Sequence, residues 1–193
     1  STLTVPPGPL AAVRGRLKKS LESVLLRELP RRRWFDHRSR QINSIQITET
    51  IPLGKSSDRQ APRLTILRVE SVEASPETYV LPLRSAWSAD ADRIKASSAD
   101  TILAQLQRSP GKELGVLFDA SLDPQVALVL FDLMAKHRRI RVQHGQLIAW
   151  SNSRLAEAAV SELEQLTNVP PRALEAEHAV VVVGAGPVGL SLA

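Results

Sequence analysis

Apolar residues at helical spacing define the first predicted element, a helix over residues 10–29. Its apolar side chains fall on one face and belong to Leu10, Val13, Leu17, Leu21, Val24 and Leu25. Pro30 ends this helix, because a proline disfavours helical backbone at the residue before it. Ahead of the helix, residues 1–9 contain three prolines around Gly8 and are predicted to be an extended linker.

Three further helices are predicted downstream. The first covers Ala99 to Leu106, and the last covers residues 154–166 with an apolar face. Between them a helix starts at Pro124, which suits a first helical position, and Asp123 is its predicted N-cap.

Aliphatic and alternating runs predict strands. They lie at residues 42–53, 64–69, 78–83 and 114–118, with a hairpin over residues 140–150. Consecutive strands with short links favour an antiparallel meander. The pattern therefore predicts an α+β fold, a mainly antiparallel sheet packed by amphipathic helices.

Composition changes this picture little, but charge adds one alternative. The apolar fraction is 43%, there is no cysteine, and no apolar run approaches the length of a membrane span, so we expect a cytoplasmic protein. The net charge is +5, and residues 1–40 hold ten basic against three acidic residues. Nucleic-acid binding needs such charge as a stripe with stacking aromatics, and only Trp34 and Phe35 lie near. A solvated helix face is the favoured interpretation.

A glycine motif lies near the end of the sequence. Four valines at 180–183 lead into Gly184, Gly186 and Gly189, the Gly-x-Gly-x-x-Gly pattern that opens a dinucleotide-binding unit. This stretch also looks like flavin-dependent monooxygenases, which makes FAD or NAD(P) binding the alternative function. The acidic residue expected about twenty positions later is absent from the sequence. A glycine turn of another fold, or an accidental junction, competes with that interpretation.

Catalytic and metal-binding patterns find little support. The four histidines, His37, His137, His144 and His178, show no metal-ligand spacing, and Asp123 is better explained as a helix cap than as the partner of a catalytic Asp119. The segment Arg31–Phe35 either docks an anionic partner or packs its two aromatics onto the sheet while its arginines face water. We favour packing, and we predict no catalytic residue and no metal site.

Three motifs resemble one family, the maltokinases, including those fused to trehalose synthase. Residues 29–35 (LPRRRWF), 77–83 (ETYVLPL) and 118–120 followed by Asp123-Pro124 are similar in wording and order to motifs of the N-terminal cap of these enzymes. The resemblance covers roughly residues 1–178. It marks as structural signature residues Arg33, Trp34, Phe35, Tyr79, Pro82, Asp119 and Asp123.

The resemblance implies the domain organisation and the function. Residues 1–9 are the linker, 10–170 the cap domain, and 171–193 the truncated start of a following domain. Family members phosphorylate maltose at its anomeric hydroxyl with ATP and Mg²⁺, which leads from trehalose to α-glucan such as glycogen. The implied partners of the cap are the kinase lobe and the trehalose synthase domain of the same polypeptide.

Departures from the family pattern limit what this chain is expected to do. Asp36-His37-Arg38 replaces the usual glycine and lysine after Trp-Phe, and no lysine follows Lys136. Phosphoryl transfer needs a cation on the phosphates, a base Asp and metal-binding groups. We therefore expect this chain to be a non-catalytic cap module that binds no cofactor itself.

Overall fold

The computed structural model describes residues 1–6, 15–35, 41–54, 58, 60–72, 74–109, 111, 113–142, 145–150 and 191–192. The chain divides into two compact units, Ser1–Leu122 and Asp123–Ala193. No helix among the described residues is both long enough and apolar enough to span a bilayer.

Within its described residues, the first unit contains six strands and two helices. In chain order they are β1 (Thr2–Val5), α1 (Gly15–Glu28), β2 (Ile42–Pro52), β3 (Arg63–Ser71), β4 (Glu77–Trp87), α2 (Ser88–Ser97), β5 (Ile102–Arg108) and β6 (Leu114–Asp119). Short 3-10 turns cover Leu29–Arg31 and Ala99–Thr101.

All six strands join one sheet in the order β1-β5-β6-β4-β3-β2. Every neighbouring pair is antiparallel except β1 and β5, which run parallel. The fold class predicted from the sequence, a mainly antiparallel α+β fold, is confirmed. The predicted meander of β2, β3 and β4 is confirmed as well.

Helix α1 covers one face of this sheet. It buries Leu21, Val24 and Leu25, which belong to the same core cluster as Leu67 of β3 and Leu81 of β4. Every second side chain of each strand points to that face. The core is therefore a layer of aliphatic side chains between helix and sheet.

Strand β2 forms one outer edge of the sheet, and helix α1 reaches it. The Glu22 carboxylate accepts a hydrogen bond from the backbone N–H of Ile47 at 2.8 Å. The carboxylate of Glu49 accepts from the N–H of Thr50 at 3.1 Å. A register shift between Ile47 and Glu49 marks a bulge at the same place, so two amides of this strand bond to side chains.

Three elements differ from the sequence-based predictions, and one of them, helix α2, had no predicted counterpart. Thr2–Val5, within the predicted linker, form β1, and Leu3 and Val5 are buried in the core. The helix predicted from Ala99 to Leu106 is wrong, because only Ala99–Thr101 form a 3-10 turn and Ile102–Arg108 form β5. Strand pairing on both sides overrides the helical propensity of that leucine- and glutamine-containing stretch.

The second unit begins with a helix. It is α3 (Pro124–Ala135), and strands β7 (Arg139–Val142), β8 (Gly145–Ile148) and β9 (Ser191–Leu192) form a separate sheet in that order. The hairpin predicted over residues 140–150 is confirmed by the antiparallel pairing of β7 with β8. The predicted helix over residues 154–166 lies outside the described residues.

Candidate functional site

The segment Leu29–Phe35 runs across one end of the six-stranded sheet. Its side chains reach Ile102, the first residue of β5, Asp119, the last residue of β6, and Tyr79 near the start of β4. Asp119 pairs with Leu83 in the middle of β4, and β4 extends beyond the end of β6 on this side, toward Tyr79. We call this place, with residues 29–35, Tyr79 and Asp119, the signature corner.

Two buried side chains fix the segment to the core. Helix α1 ends at Glu28, and Pro30 lies in the 3-10 turn that follows. Leu29 and Phe35, at the two ends of the segment, are both fully buried in the cluster under α1. The signature corner is therefore anchored at both ends by apolar burial.

Three aromatic rings pack together at the signature corner. The Phe35 ring lies 5.9 Å from Trp34 in an edge-on arrangement and 5.1 Å from Tyr79, measured between centroids. The Trp34 and Tyr79 centroids are 6.4 Å apart. The Tyr79 hydroxyl donates to the Glu77 carboxylate at 3.2 Å. These separations are those of favourable aromatic pairs, so the rings stabilise the corner beyond their apolar burial.

Asp119 ties the first signature motif to the last. Its Oδ2 accepts a hydrogen bond from Trp34 Nε1 at 3.0 Å. Its Oδ1 accepts from the backbone N–H of Ser121 at 2.9 Å and from the Ser121 hydroxyl at 2.6 Å. The residue is 9% exposed. Both carboxylate oxygens are thus used to hold the corner and the turn after β6.

The three arginines of the segment point in different directions. Arg31 is exposed and pairs with Glu28 at 3.5 Å, and Arg33 is exposed too. Arg32 instead donates from Nη2 to the carbonyl oxygen of Ile102 at 2.7 Å, and so joins the segment to β5. The packing interpretation of this segment fits Phe35 and the two exposed arginines. Trp34, however, is 43% exposed, and Arg32 adds a bond that the sequence pattern did not predict.

Pro82 lies where the pairing of β4 with β6 ends. Its carbonyl oxygen accepts a hydrogen bond from the backbone N–H of Ala120, the residue after β6, at 2.9 Å. A proline nitrogen cannot donate to a neighbouring strand. Since the last register pair of these strands is Leu83 with Asp119, the missing donor falls at the end of the ladder, where it costs little.

Asp123 belongs to the second unit and is the N-cap of α3, as predicted. Its Oδ1 accepts a hydrogen bond from the backbone N–H of Gln125 at 2.9 Å, and Pro124 occupies the first helical turn. The side chain satisfies one of the free N–H groups of that turn.

The candidate nucleotide-binding glycines Gly184, Gly186 and Gly189 lie outside the described residues, as do His37, His144 and His178. Among the residues that the structure does describe, no group of three His, Asp or Glu side chains is placed to hold a metal ion.

A buried polar group on the α1 face escaped the sequence analysis. Arg63 is 6% exposed, and Thr65 and Ser85 are buried beside it. These side chains line a cavity of about 20 Å³. Burial lowers the pKa of Arg63, and the nearby charge of Asp58 opposes that shift. The sequence could have indicated this burial, because Arg63 and Thr65 lie four and two positions before the core residue Leu67 and so share its face of the strand.

All residues of the signature corner lie within the part of the chain that matches a known family. Residues 29–123 match the family model described as the maltokinase N-terminal cap domain. No curated protein sequence matches the chain.

Proposed function

We propose that this chain is the cap module of a maltokinase-like enzyme, because residues 29–123 match the family model of the maltokinase N-terminal cap domain. That enzyme transfers a phosphoryl group from ATP to the anomeric hydroxyl of maltose, in the route from trehalose to α-glucan. The family match carries the proposal, and it includes Trp34, Tyr79 and Asp119, which meet at the signature corner.

We propose further that the cap provides no catalytic group. A carboxylate that acts as a base or holds Mg²⁺ needs an oxygen available to substrate or metal. Both oxygens of Asp119 accept hydrogen bonds from within the cap. Phe35 is buried in the core, and Asp123 caps a helix. This use of the signature residues supports a scaffold role, with ATP, Mg²⁺ and maltose bound by a kinase lobe.

The partners of the cap in this proposal are domains of one polypeptide in the cytoplasm. The kinase lobe packs against the cap, and in fused enzymes a trehalose synthase domain precedes it. The family match and the resemblance of residues 1–178 to such enzymes support this arrangement.

Two assays test the proposal. The purified 193-residue chain, incubated with ATP, Mg²⁺ and maltose, is expected to form no maltose phosphate above a buffer blank. Mixed with a maltokinase whose cap has been deleted, it is expected to bind the kinase lobe and raise its melting temperature. Maltose phosphorylation by the chain alone would refute the scaffold role, and failure to bind the lobe would refute the cap function.

The alternative function, binding of FAD or NAD(P) through Gly184, Gly186 and Gly189, has a direct readout in the same preparation. Bound flavin would colour the purified protein yellow, and bound NAD(P) would appear after denaturation and chromatography. Stoichiometric cofactor would replace the proposal with an oxidoreductase function.

A further inference from the structure

Strand β4 extends beyond the end of its neighbour β6 at the signature corner. The last register pair of the two strands is Leu83 with Asp119, and the N–H of Ala120 then donates to the carbonyl oxygen of Pro82. The preceding residues of β4, Glu77–Leu81, pair with β3 on one side. On the other side, no strand of the described residues lies next to them. We call this stretch the open edge of β4.

The open edge of β4 carries unused backbone groups. Successive residues of a strand direct their N–H and C=O groups to opposite sides of the strand. Because Pro82 bonds toward β6, the N–H and C=O groups of Thr78 and Val80 face the open edge. Both residues are exposed, and these groups have no partner within the described part of the chain. Such a row of free groups is a template on which another strand can pair.

Apolar side chains flank the open edge on both faces of the sheet. Trp34 contacts Asp119 at the end of β6 and Tyr79 on β4, so its ring lies beside the open edge on the α1 face. The tryptophan is 43% exposed, although the neighbouring Phe35 is buried. Val80 is 36% exposed, and its side chain points to the opposite face. Alternate side chains of an added strand would therefore meet Trp34 on one face and Val80 on the other.

The charges at the signature corner favour an acidic partner. The carboxylates of Glu28, Glu77 and Asp119 are all engaged in ion pairs or hydrogen bonds within the chain. The side chain of Arg31 is 68% exposed. Arg33 is exposed as well and forms no ion pair with any residue that the structure describes. A carboxylate beside the added strand would find a guanidinium to pair with.

We propose that the open edge of β4 binds an extended segment of the kinase lobe by strand addition. The segment is about four residues, or about 13 Å, long and exchanges backbone hydrogen bonds with Thr78 and Val80. An acidic residue next to it pairs with Arg33. So short a strand binds weakly by itself, which suits a partner in the same polypeptide, where the effective concentration is high. This inference rests on the proposed cap function and identifies the surface that serves it.

Amide hydrogen exchange tests the open edge directly. In the isotope-labelled chain alone, the amides of Thr78 and Val80 are expected to exchange faster than those of Tyr79 and Leu81, which face β3. A maltokinase whose cap has been deleted is expected to slow Thr78 and Val80 at least about tenfold and to change Tyr79 and Leu81 little. Slow exchange at Thr78 and Val80 in the free chain would overturn the proposal. If that protection increased with protein concentration, the occupant would be a second copy.

A proline at the open edge tests the site by mutation. Val80→Pro removes one donor and places a ring in the path of the added strand. Pro82 already lies two residues further along with its nitrogen facing the same side, so β4 tolerates a proline there. We expect calorimetric titration to show at least about tenfold weaker binding of the kinase lobe. Val80→Ile is the matched control, because it keeps the N–H and the apolar contact, and it should bind as tightly as the original chain.

A charge reversal tests the site without altering the backbone. Arg33→Glu is expected to weaken binding of the kinase lobe, since it removes the partner of the acidic residue. Arg16→Glu is the control, because Arg16 is exposed and lies in the first turn of α1, about 18 Å along the helix from the corner. Equal weakening by both reversals would mean that net charge alone is responsible, which would contradict the site.

The outcomes distinguish this inference from the proposed function. If the original chain did not bind the kinase lobe, the cap function would be refuted, and this inference would fall with it. If the lobe bound equally well to the original chain, Val80→Pro and Arg33→Glu, the open edge would be refuted as the docking site while the cap function would stand.

Discussion

Gly115 of β6 faces Trp87 of β4 across the sheet, and the tryptophan ring occupies the space of a side chain. A β-carbon at Gly115 would lie 2.5 Å from the carbonyl oxygen of Ala86 and 2.6 Å from the Trp87 ring. The guanidinium of Arg108 lies over the same ring, 4.3 Å from its centroid, so the ring has little freedom to move aside.

Gly115→Ala is therefore expected to lower the free energy of unfolding by about 1–3 kcal/mol through overpacking. Chemical denaturation followed by circular dichroism measures the loss. Leu114→Ala is the control, because Leu114 is the neighbouring residue on β6 and is 58% exposed. If the Gly115→Ala protein were as stable as the original protein, the Trp87 ring would have to be able to move aside.

The hydrogen bond between Trp34 and Asp119 joins the first signature motif to the last. A double-mutant cycle with Trp34→Phe and Asp119→Ala is expected to give a coupling energy of about 1–2 kcal/mol, because the acceptor is charged and only 9% exposed.

The control for that cycle is the surface pair Glu28 and Arg31, whose arginine side chain is 68% exposed. Its coupling should not exceed about 0.5 kcal/mol. Additive effects of the Trp34 and Asp119 substitutions would mean that the signature residues act independently.

Strand β1 is the outer strand of the sheet next to β5. Its short sequence is only a weak indication of a strand. Leu3 and Val5 are 5% and 2% exposed and pack in the core cluster, while Thr4 between them is exposed. The double change Leu3→Ala with Val5→Ala is expected to lower the free energy of unfolding by at least about 3 kcal/mol, since it leaves a cavity.

The matching control for β1 is Thr4→Ala, which should change stability by less than about 0.5 kcal/mol because it touches only the solvent side. Denaturant unfolding measures both proteins. If residues 2–5 were only a linker, the double variant and Thr4→Ala would show the same small change in stability.

Strand β5 shows why one element could not be predicted. A register shift between Ile102 and Ala104 marks a bulge, and Leu103, Ala104 and Leu106 are all buried. The bulge breaks the period of two that identifies a strand. The resulting spacing of apolar residues is the one that a helix face would show, and only the pairing with β1 and β6, distant in sequence, decides otherwise.

Across the whole molecule, sequence patterns predicted what depends on local periodicity and capping. The β2–β4 meander, α1 and the Asp123 cap follow from regular spacing, and the family motifs pointed to Trp34, Tyr79 and Asp119. Their mutual contacts did not follow from spacing, because they join residues about 85 positions apart in the case of Trp34 and Asp119. The burial of Arg63 was not predicted, although Arg63 shares its parity with the core residue Leu67, because an arginine side chain usually faces water.

The carboxylates of Glu22 and Glu49 have a consequence for self-association. Growth of a fibril by templating needs a row of vacant amides on an exposed strand, and on β2 the amides of Ile47 and Thr50 are already taken by these glutamates. An incoming strand from another molecule would meet negative charge and a bulged backbone in the middle of that row. Stacking of copies through this border of the sheet is therefore disfavoured at these two amides.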